Sequence, residues 1–418
     1  MSEKVIDSLQ LTGRMISDSS ILRYLTRQIA PEVAYDNVLI ASNAPTGMVP
    51  GWQLREDVEE LTDREVPYVY IRSKQKKGGH KENITGNQNN SLIKDGDRAV
   101  LVEVIGDDYD FTERVLRSSE LLKDAGYQSR DVVSIAHPQK ESKERLNSSG
   151  LTVHSLMSFE ELNELIKKGV EKSIAKKPNY GRLSSDDVSR IIIEKGALEV
   201  RDLEGGEEPF LYSSGLWGPG YAMVKGLAGQ PDAMNKFAWE LAIRSKDKDF
   251  DFIIGNVTGG VIIAQQTRNY LEALREEKIP YVYADGMRLL EGNVVNGNIV
   301  GDKGNPNIKK GDTGLVVEEL VNTAGTTAGS IIYARNSGYK VKDAVTIFNY
   351  ENPLALKRME EHDFNLTSLT TLNGTLNLAE KEKLFEQRAV IDYRFFMSNP
   401  IEYQKKWNLT PLKRGGTE

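Results

Sequence analysis

The chain repeats itself, and a repeat of this length constrains the fold more than any local pattern does. Val66-Pro67-Tyr68-Val69-Tyr70 returns as Ile279-Pro280-Tyr281-Val282-Tyr283, and Thr46-Gly47 returns as Thr258-Gly259. Lys94-Asp95-Gly96-Asp97, followed by Leu101-Val102-Glu103, returns as Lys310-Gly311-Asp312 followed by Val316-Val317-Glu318. His154-Ser155-Leu156 is echoed by Thr367-Ser368-Leu369. These four collinear matches are displaced by 212 to 215 positions, too long a period for a solenoid and right for a duplicated domain. A chain of 418 residues also exceeds what one hydrophobic core fills. We therefore expect two globular domains, 1–172 and 180–418, with the boundary in the polar segment Glu171 to Gly181, after an expected helix from Ser158 to Lys168.

Composition narrows the function classes. The net charge of −7 gives no basic field for nucleic acid. With no cysteine there is neither a disulfide framework nor a thiolate metal site, and His80, His137, His154 and His362 lack zinc-ligand spacing. The start of the chain lacks an apolar signal core and no run approaches membrane-spanning length, so a cytoplasmic protein without a membrane partner is expected.

Apolar strand-like runs alternate with helical patterns. In the second half Phe252 to Gly255, Pro280 to Tyr283, Gly314 to Val317 and Asp343 to Phe348 read as strands, with helices at Ala233 to Arg244, Ile262 to Glu276 and Ala328 to Ser337. The expected fold class is α/β, a mainly parallel sheet flanked by helices in each half, with ligands at the C-terminal strand ends.

One such strand end carries chemistry. Leu315-Val316-Val317 leads into Glu318-Glu319, then Leu320-Val321 and the turn Asn322-Thr323-Ala324-Gly325-Thr326 before a helix. A buried strand would carry the carboxylates to its exposed end, and the turn would aim N–H groups at a phosphate on a helix N-terminus. The bland reading is a strand, a turn and a helix start without a ligand. The pattern resembles the phosphoribosyl-pyrophosphate (PRPP) motif of type I phosphoribosyltransferases, especially the orotate enzymes. Other segments extend the likeness in order. Lys195-Gly196-Ala197-Leu198 and Phe210 to Tyr221 resemble that family's base-covering hood, and Ile254 to Val261, with Thr258 and Gly259, resembles its pyrophosphate-binding turn.

The first half has kept different parts. It shows neither a hood nor a phosphate loop, and its loop equivalent, Asp107-Asp108-Tyr109-Asp110, would repel a phosphate. Its Arg72-Ser73-Lys74-Gln75-Lys76-Lys77-Gly78-Gly79-His80 resembles the orotate family's catalytic loop, whereas the second half reads Ala284 to Gly292 there and has lost the lysines. In that family this loop reaches across a dimer. The resemblance thus implies an intramolecular pseudo-dimer, open to further self-association, with one composite site.

What the resemblance implies for chemistry is transfer of the phosphoribosyl group of PRPP to a nitrogenous base with Mg2+. Glu318 and Glu319 would hold ribose hydroxyls or hydrated metal, Thr258 and Gly259 the diphosphate, and Asn322, Thr323, Ala324, Gly325 and Thr326 the 5′-phosphate. Arg72, Lys74, Lys76, Lys77 and His80 would neutralise the departing pyrophosphate, and Phe210, Trp217, Tyr221 and Tyr350 would wall the base. Departures from the family pattern bear on the base: Ser213 stands where the hood lysine is usual, and Asn349-Tyr350 where an Asp-Arg pair grips the orotate carboxylate. Aromatic walls without a cation favour an uncharged base. The alternatives are a non-catalytic sensor of PRPP or nucleotides, and a scaffold with both sites dead.

Overall fold

The computed structural model of the chain describes residues 8–72, 83–88, 90–104, 109–212, 214–290, 293–295 and 297–412. In the first half β1 (Val38–Asn43), β2 (Tyr68–Ile71), β3 (Ile84–Thr85), β4 (Arg98–Glu103), β5 (Gln128–Ala136) and β6 (Thr152–Met157) form one sheet in the order β3-β2-β1-β4-β5-β6. In the second half β7 (Phe252–Asn256), β8 (Tyr281–Asp285), β9 (Asn298–Val300), β10 (Thr313–Val321), β11 (Lys340–Asn349) and β12 (Asn365–Thr371) repeat that order as β9-β8-β7-β10-β11-β12. Each sheet is parallel except for its short edge strand, β3 or β9. The repeat extends to irregularities: the β4–β5 ladder slips between Ala99 and Val100, and the β10–β11 ladder between Gly314 and Leu315.

The central strands are apolar throughout because both faces are covered. Alternate residues feed different cores. Tyr68 and Tyr70 join a cluster shared by both halves, together with Trp52, Ile253, Tyr281 and Tyr283, while Val69 and Ile71 belong to a cluster confined to the first half. A third cluster backs the second sheet. The helices Met48–Thr62 and Gly260–Arg275, which follow β1 and β7, pack against each other at the centre. Trp52 Nε1 donates to Gln266 Oε1 at 3.3 Å, and Gln266 Nε2 donates to Glu56 Oε1 at 2.8 Å.

Each half docks on the other through glycine. A Cβ on Gly13, in the helix Ser8–Ser17, would lie 2.5 Å from the Gly301 Cα, and one on Gly229, at the end of the 3-10 turn Val224–Gly229, would lie 1.7 Å from the Gly86 carbonyl oxygen. Asn305 Nδ2 donates to the Gly301 carbonyl at 2.8 Å and to Ser17 Oγ at 2.7 Å. Asn90 Nδ2 correspondingly donates to the Gly86 carbonyl at 2.9 Å and to that of Gly229. The same patch is thus used twice, as in a two-fold dimer, and the halves form an intramolecular pseudo-dimer. The helix Ser8–Ser17 thus takes in the first half the docking place that the turn Val224–Gly229 takes in the second.

Neither helix nor strand occurs between Lys168 and Ser185. This connection is held down, with Ser20 Oγ and Arg23 Nη1 donating to the Ser173 carbonyl and Lys172 Nζ to that of Glu276. The helix expected from Ser158 runs Phe159–Lys168, with Ser158 as its cap in a capping box with Glu161. The segment Ala284 to Gly292, read as a loop, instead contributes to a hairpin, Arg288–Leu290 with Asn293–Val295. Gly329 admits it: a Cβ there would lie 3.1 Å from the Arg288 and Leu289 backbone. Among the described residues no helix is long and apolar enough to cross a membrane.

Candidate functional site

The acidic pair stands at the end of β10, where the two carboxyl groups interact with each other. Glu318 is 5% exposed. It accepts from Asn256 Nδ2 at 2.6 Å and from Thr327 Oγ1 at 3.4 Å, while Ser330 Oγ donates to Asn256 Oδ1 at 2.6 Å. Burial first, and the neighbouring Glu319 charge second, hold the Glu318 carboxyl well above the usual carboxylate range. Glu319 is half-buried and faces the turn after β7, where a Cβ on Gly259 would lie 1.9 Å from Glu319 Oε1. A Cβ on Gly260 would lie 2.8 Å from the Val317 carbonyl oxygen and 3.2 Å from Glu318 Oε2, so both carboxylates border this turn. The turn Thr258-Gly259-Gly260 and the acidic pair, far apart in sequence, are therefore in contact. The peptide Val257–Thr258 is cis, as is Ala44–Pro45 in the first half.

The turn also corrects the repeat by one position. A Cβ on Gly47 would lie 2.3 Å from the Val102 carbonyl oxygen, which makes Gly47 the counterpart of Gly260 and Thr46 that of Gly259. Matching by letter paired Thr46-Gly47 with Thr258-Gly259. The spatial constraint, a missing Cβ against a strand carbonyl, sets the true register.

Asn322 to Thr326 leads into the helix Gly325–Asn336. Ala324 has φ 55°, a left-handed conformation, and no side chain caps the helix or places an acid in its first turn. The N–H groups at that end are open to an anion. Arg358 Nη1 donates to the Thr323 carbonyl at 2.6 Å and Asn352 Nδ2 to Asn322 Oδ1 at 3.1 Å, fixing the loop from behind.

The first half keeps the scaffold of this arrangement without its opening. Asn43 Nδ2 donates to Glu103 Oε1 at 2.7 Å and Ser118 Oγ to Asn43 Oδ1 at 2.6 Å. Val104 stands in place of Glu319, the helix Tyr109–Asp124 opens with Asp110 in its first turn, and the Thr46 hydroxyl and Arg114 both reach Glu103, at 3.5 and 3.6 Å. Asp107 and Asp108 lie outside the described residues.

Arg72 directly follows the last residue of β2. It is 9% exposed, its Nη2 donates to Thr85 Oγ1 at 2.8 Å, and its Nη1 is buried with no hydrogen-bond partner among the described residues. Its charge opposes the upward effect of burial on Tyr221, a hood residue. Burial pushes the Tyr70 hydroxyl up to about 12, with Arg72 lowering it and Glu319 raising it, so a first-half tyrosine stands between the two. The turn Val224–Gly229 packs on β2, β3 and β10 together. Lys74, Lys76, Lys77 and His80 lie outside the described residues.

The hood brings Phe210 and Tyr221 to 5.6 Å between ring centres, with Tyr212 6.4 Å from Tyr221. Tyr350 underlies them. Its hydroxyl accepts from the Ala222 N–H at 3.2 Å, and burial pushes it up to about 12. Trp217 does not join this group. It pairs with Leu211, on the other face of the hairpin from Phe210, and its indole donates to the Thr410 carbonyl at 3.0 Å. A cation does stand beside one of the expected walls, since the Arg201 guanidinium lies 4.0 Å from the Phe210 ring centre. Tyr70, Arg201, Tyr212 and Arg358 escaped the sequence reading. Tyr70 had a signal in its place in the repeated Tyr-Val-Tyr strand, and Tyr212 in its place within the hood-like segment.

No family model matches the chain. The orotate phosphoribosyltransferase of Coxiella burnetii is 24% identical over 210 residues, covering 49% of this chain and 87% of its own length. That of Streptococcus gordonii is 26% identical over 209 residues, covering 49% and 90%. The solved orotate phosphoribosyltransferase of Aeropyrum pernix, 24% identical, covers 48% of this chain and 99% of its own with a TM-score of 0.37. Each of these relatives accounts for about half of the chain, which is thus similar to orotate phosphoribosyltransferases over that length, and the structure shows one sheet order twice.

Proposed function

We propose that the chain transfers the phosphoribosyl group of PRPP to a nitrogenous base at one composite site, with magnesium. The observation that carries this reading is the asymmetry between the halves. In the second, a glycine turn, a half-buried carboxylate and an uncapped helix N-terminus converge; in the first, Thr46, Asp110 and Arg114 fill the same place.

In this reading the N–H groups of Asn322, Thr323, Ala324, Gly325 and Thr326 hold the 5′-phosphate, and Thr258 and Gly259 hold the diphosphate through backbone amides. Glu319 takes the ribose hydroxyls. Among the described residues no group of three or more His, Cys, Asp or Glu could cage a metal, and of the acidic pair Glu319 is the more exposed carboxylate. That donor set suits magnesium, which binds through one or two carboxylates together with substrate oxygens and water. Bound with the diphosphate, it would neutralise charge on the leaving group.

A ring nitrogen of the base forms the new bond to the anomeric carbon as the bond to pyrophosphate breaks, and pyrophosphate departs with the electron pair. Arg72 from the first half, joined by Lys74, Lys76, Lys77 and His80, meets the charge that develops on it. Phe210 and Tyr221 stack on the base, with Tyr350 securing the hood beneath. A screen of purine, pyrimidine and pyridine bases for pyrophosphate release from PRPP with magnesium tests the proposal, and release with at least one base is expected. Silence across the panel with PRPP still bound would convert the reading to a sensor, and absence of PRPP binding to a scaffold.

A further inference from the structure

The hood is built of pieces too small to hold themselves. Its hairpin has two residues a side, Phe210–Leu211 against Trp217–Gly218, and a two-stranded ribbon of that size is not stable in water unless something packs on it. The next strand, Gly220–Ala222, forms a two-stranded sheet with Leu198–Val200. What covers these pieces comes from the other end of the chain, the helices Gln387–Ser398 and Pro400–Lys406 and the residues after them. A Cβ on Gly220 would lie 2.1 Å from the Tyr393 ring, so that ring rests against the Gly220 backbone, and the Phe396 ring centre is 5.5 Å from that of Tyr212.

The most specific contact is made by Gln404, which is 3% exposed. Its Oε1 accepts from the Trp217 N–H at 3.1 Å, and its Nε2 donates to the Trp217 carbonyl at 2.7 Å and to the Pro400 carbonyl at 3.1 Å. Both amide hydrogens and the oxygen are used, so the orientation of the side chain is fixed. Toward Trp217 the amide acts as a neighbouring backbone does in an antiparallel ladder, accepting from the N–H and donating to the C=O of one residue. A side chain thereby closes the open edge of the hairpin. Two further bonds continue the seam, from the Trp217 indole to the Thr410 carbonyl at 3.0 Å and from the Leu412 N–H to the Gly215 carbonyl at 2.9 Å.

The duplication provides a control. The helices Phe159–Lys168 and Leu372–Glu382 follow the last strand of each sheet, β6 and β12. Beyond them the first half passes into the connection, while the second adds the two helices that meet the hood. Among the described residues the first half has no hairpin before β1 either. The hairpin and the segment that covers it occur together, in the half whose helix N-terminus after β10 is uncapped.

Resting on the proposed function, we infer that residues 399–412 are a clasp that sets the hood over the base, and that Gln404 is the positioning residue that fastens it. Phe210 pairs with Gly218, the residue after Trp217, so a shift of the fastened strand moves the ring that stacks on the base. Gln404 acts through the hairpin and leaves the PRPP loop alone.

The test uses the full chain, with steady-state pyrophosphate release, calorimetry of PRPP in magnesium, and amide hydrogen exchange of the free protein. Gln404→Met keeps the length of the side chain and removes its three bonds; Leu412→Pro removes one N–H at a residue that is 50% exposed and leaves the core untouched. KM for the base should rise about tenfold in Gln404→Met and about threefold in Leu412→Pro, while kcat and PRPP affinity stay within about twofold. In both variants exchange should quicken at the Tyr212 amide, which bonds the Leu216 carbonyl across the hairpin at 2.9 Å, and stay unchanged in β7 and β10. An unchanged KM in Gln404→Met would overturn the inference, as would a loss of PRPP affinity as large as the rise in KM. If Gln404→Met does not fold, Leu412→Pro decides by the same two readings. If the unaltered chain releases no pyrophosphate with any base, the proposed function fails, and exchange still decides the clasp: quickening confined to the hood upholds it, and unchanged or general exchange overturns it.

Discussion

Ala324 sits where a glycine would be at ease. Its φ of 55° costs an L-residue roughly 1–2 kcal/mol, set against roughly 0.4–1 kcal/mol of extra unfolded-state freedom if glycine replaces it. Ala324→Gly should therefore stabilise the chain by about 0.5–1 kcal/mol, read as a shifted midpoint in denaturant titration. A destabilised variant would mean that the alanine methyl packs well enough to outweigh its backbone. Gly259 poses the opposite problem. A methyl there must displace the Glu319 carboxylate, 1.9 Å away, and a flexible side chain can yield where backbone cannot. Gly259→Ala should thus keep its unfolding temperature and lose PRPP affinity about tenfold by calorimetry. Retained affinity would place the ribose away from Glu319. At this scale the sequence was legible in residue type more than in direction. The aromatic character of Phe210 to Tyr221 was plain, but which face of a two-stranded hairpin Trp217 would take depends on a register that alternates with every residue.

Among elements, the core strands and helices were readable because buried parallel strands are continuously apolar and their helices amphipathic. The hairpin Arg288–Leu290 with Asn293–Val295 was not, since its cue is Gly329, some 35 residues on, which leaves a smooth helix face for it to lie on. The one-position slip at Thr46 has a similar cause: two identical letters outweighed a spatial requirement that only the folded turn displays. Of the basic segment after β2 only Arg72 is among the described residues, and its charge opposes the effect of burial on Tyr221. Replacing Lys74, Lys76 and Lys77 together by alanine should slow turnover far more than it weakens PRPP binding, because in the proposed reaction these lysines meet charge that develops only as pyrophosphate leaves. Steady-state rates beside calorimetric affinities check this. Equal losses would assign the loop to ground-state binding.

For the molecule as a whole, the central helix pair is polar as well as buried. Burial raises Asp57 to about 7, despite hydrogen bonds from Thr26 and Gln53, and raises Glu56 in the same helix. An aspartate raised in the folded state contributes stability that is complete below its unfolded value near 3.8 and is lost as pH rises through about 7. The stability difference between the unaltered chain and Asp57→Asn should therefore move toward the unaltered chain as pH falls from about 8 to about 5. Unfolding midpoints across that range test it, and a constant difference would show Asp57 already ionised in the fold. Glycine docking at Gly13 on Gly301 and at Gly86 on Gly229 has a broader consequence. In a dimer of identical chains every substitution appears twice, so a change that suits one site is imposed on the other, and dilution separates the partners. Here the two faces are encoded separately and held at a fixed effective concentration by the connection through Ser173. Val104 could replace a carboxylate on one side while Glu319 stayed on the other, and the contacts between the halves cannot be lost by dilution.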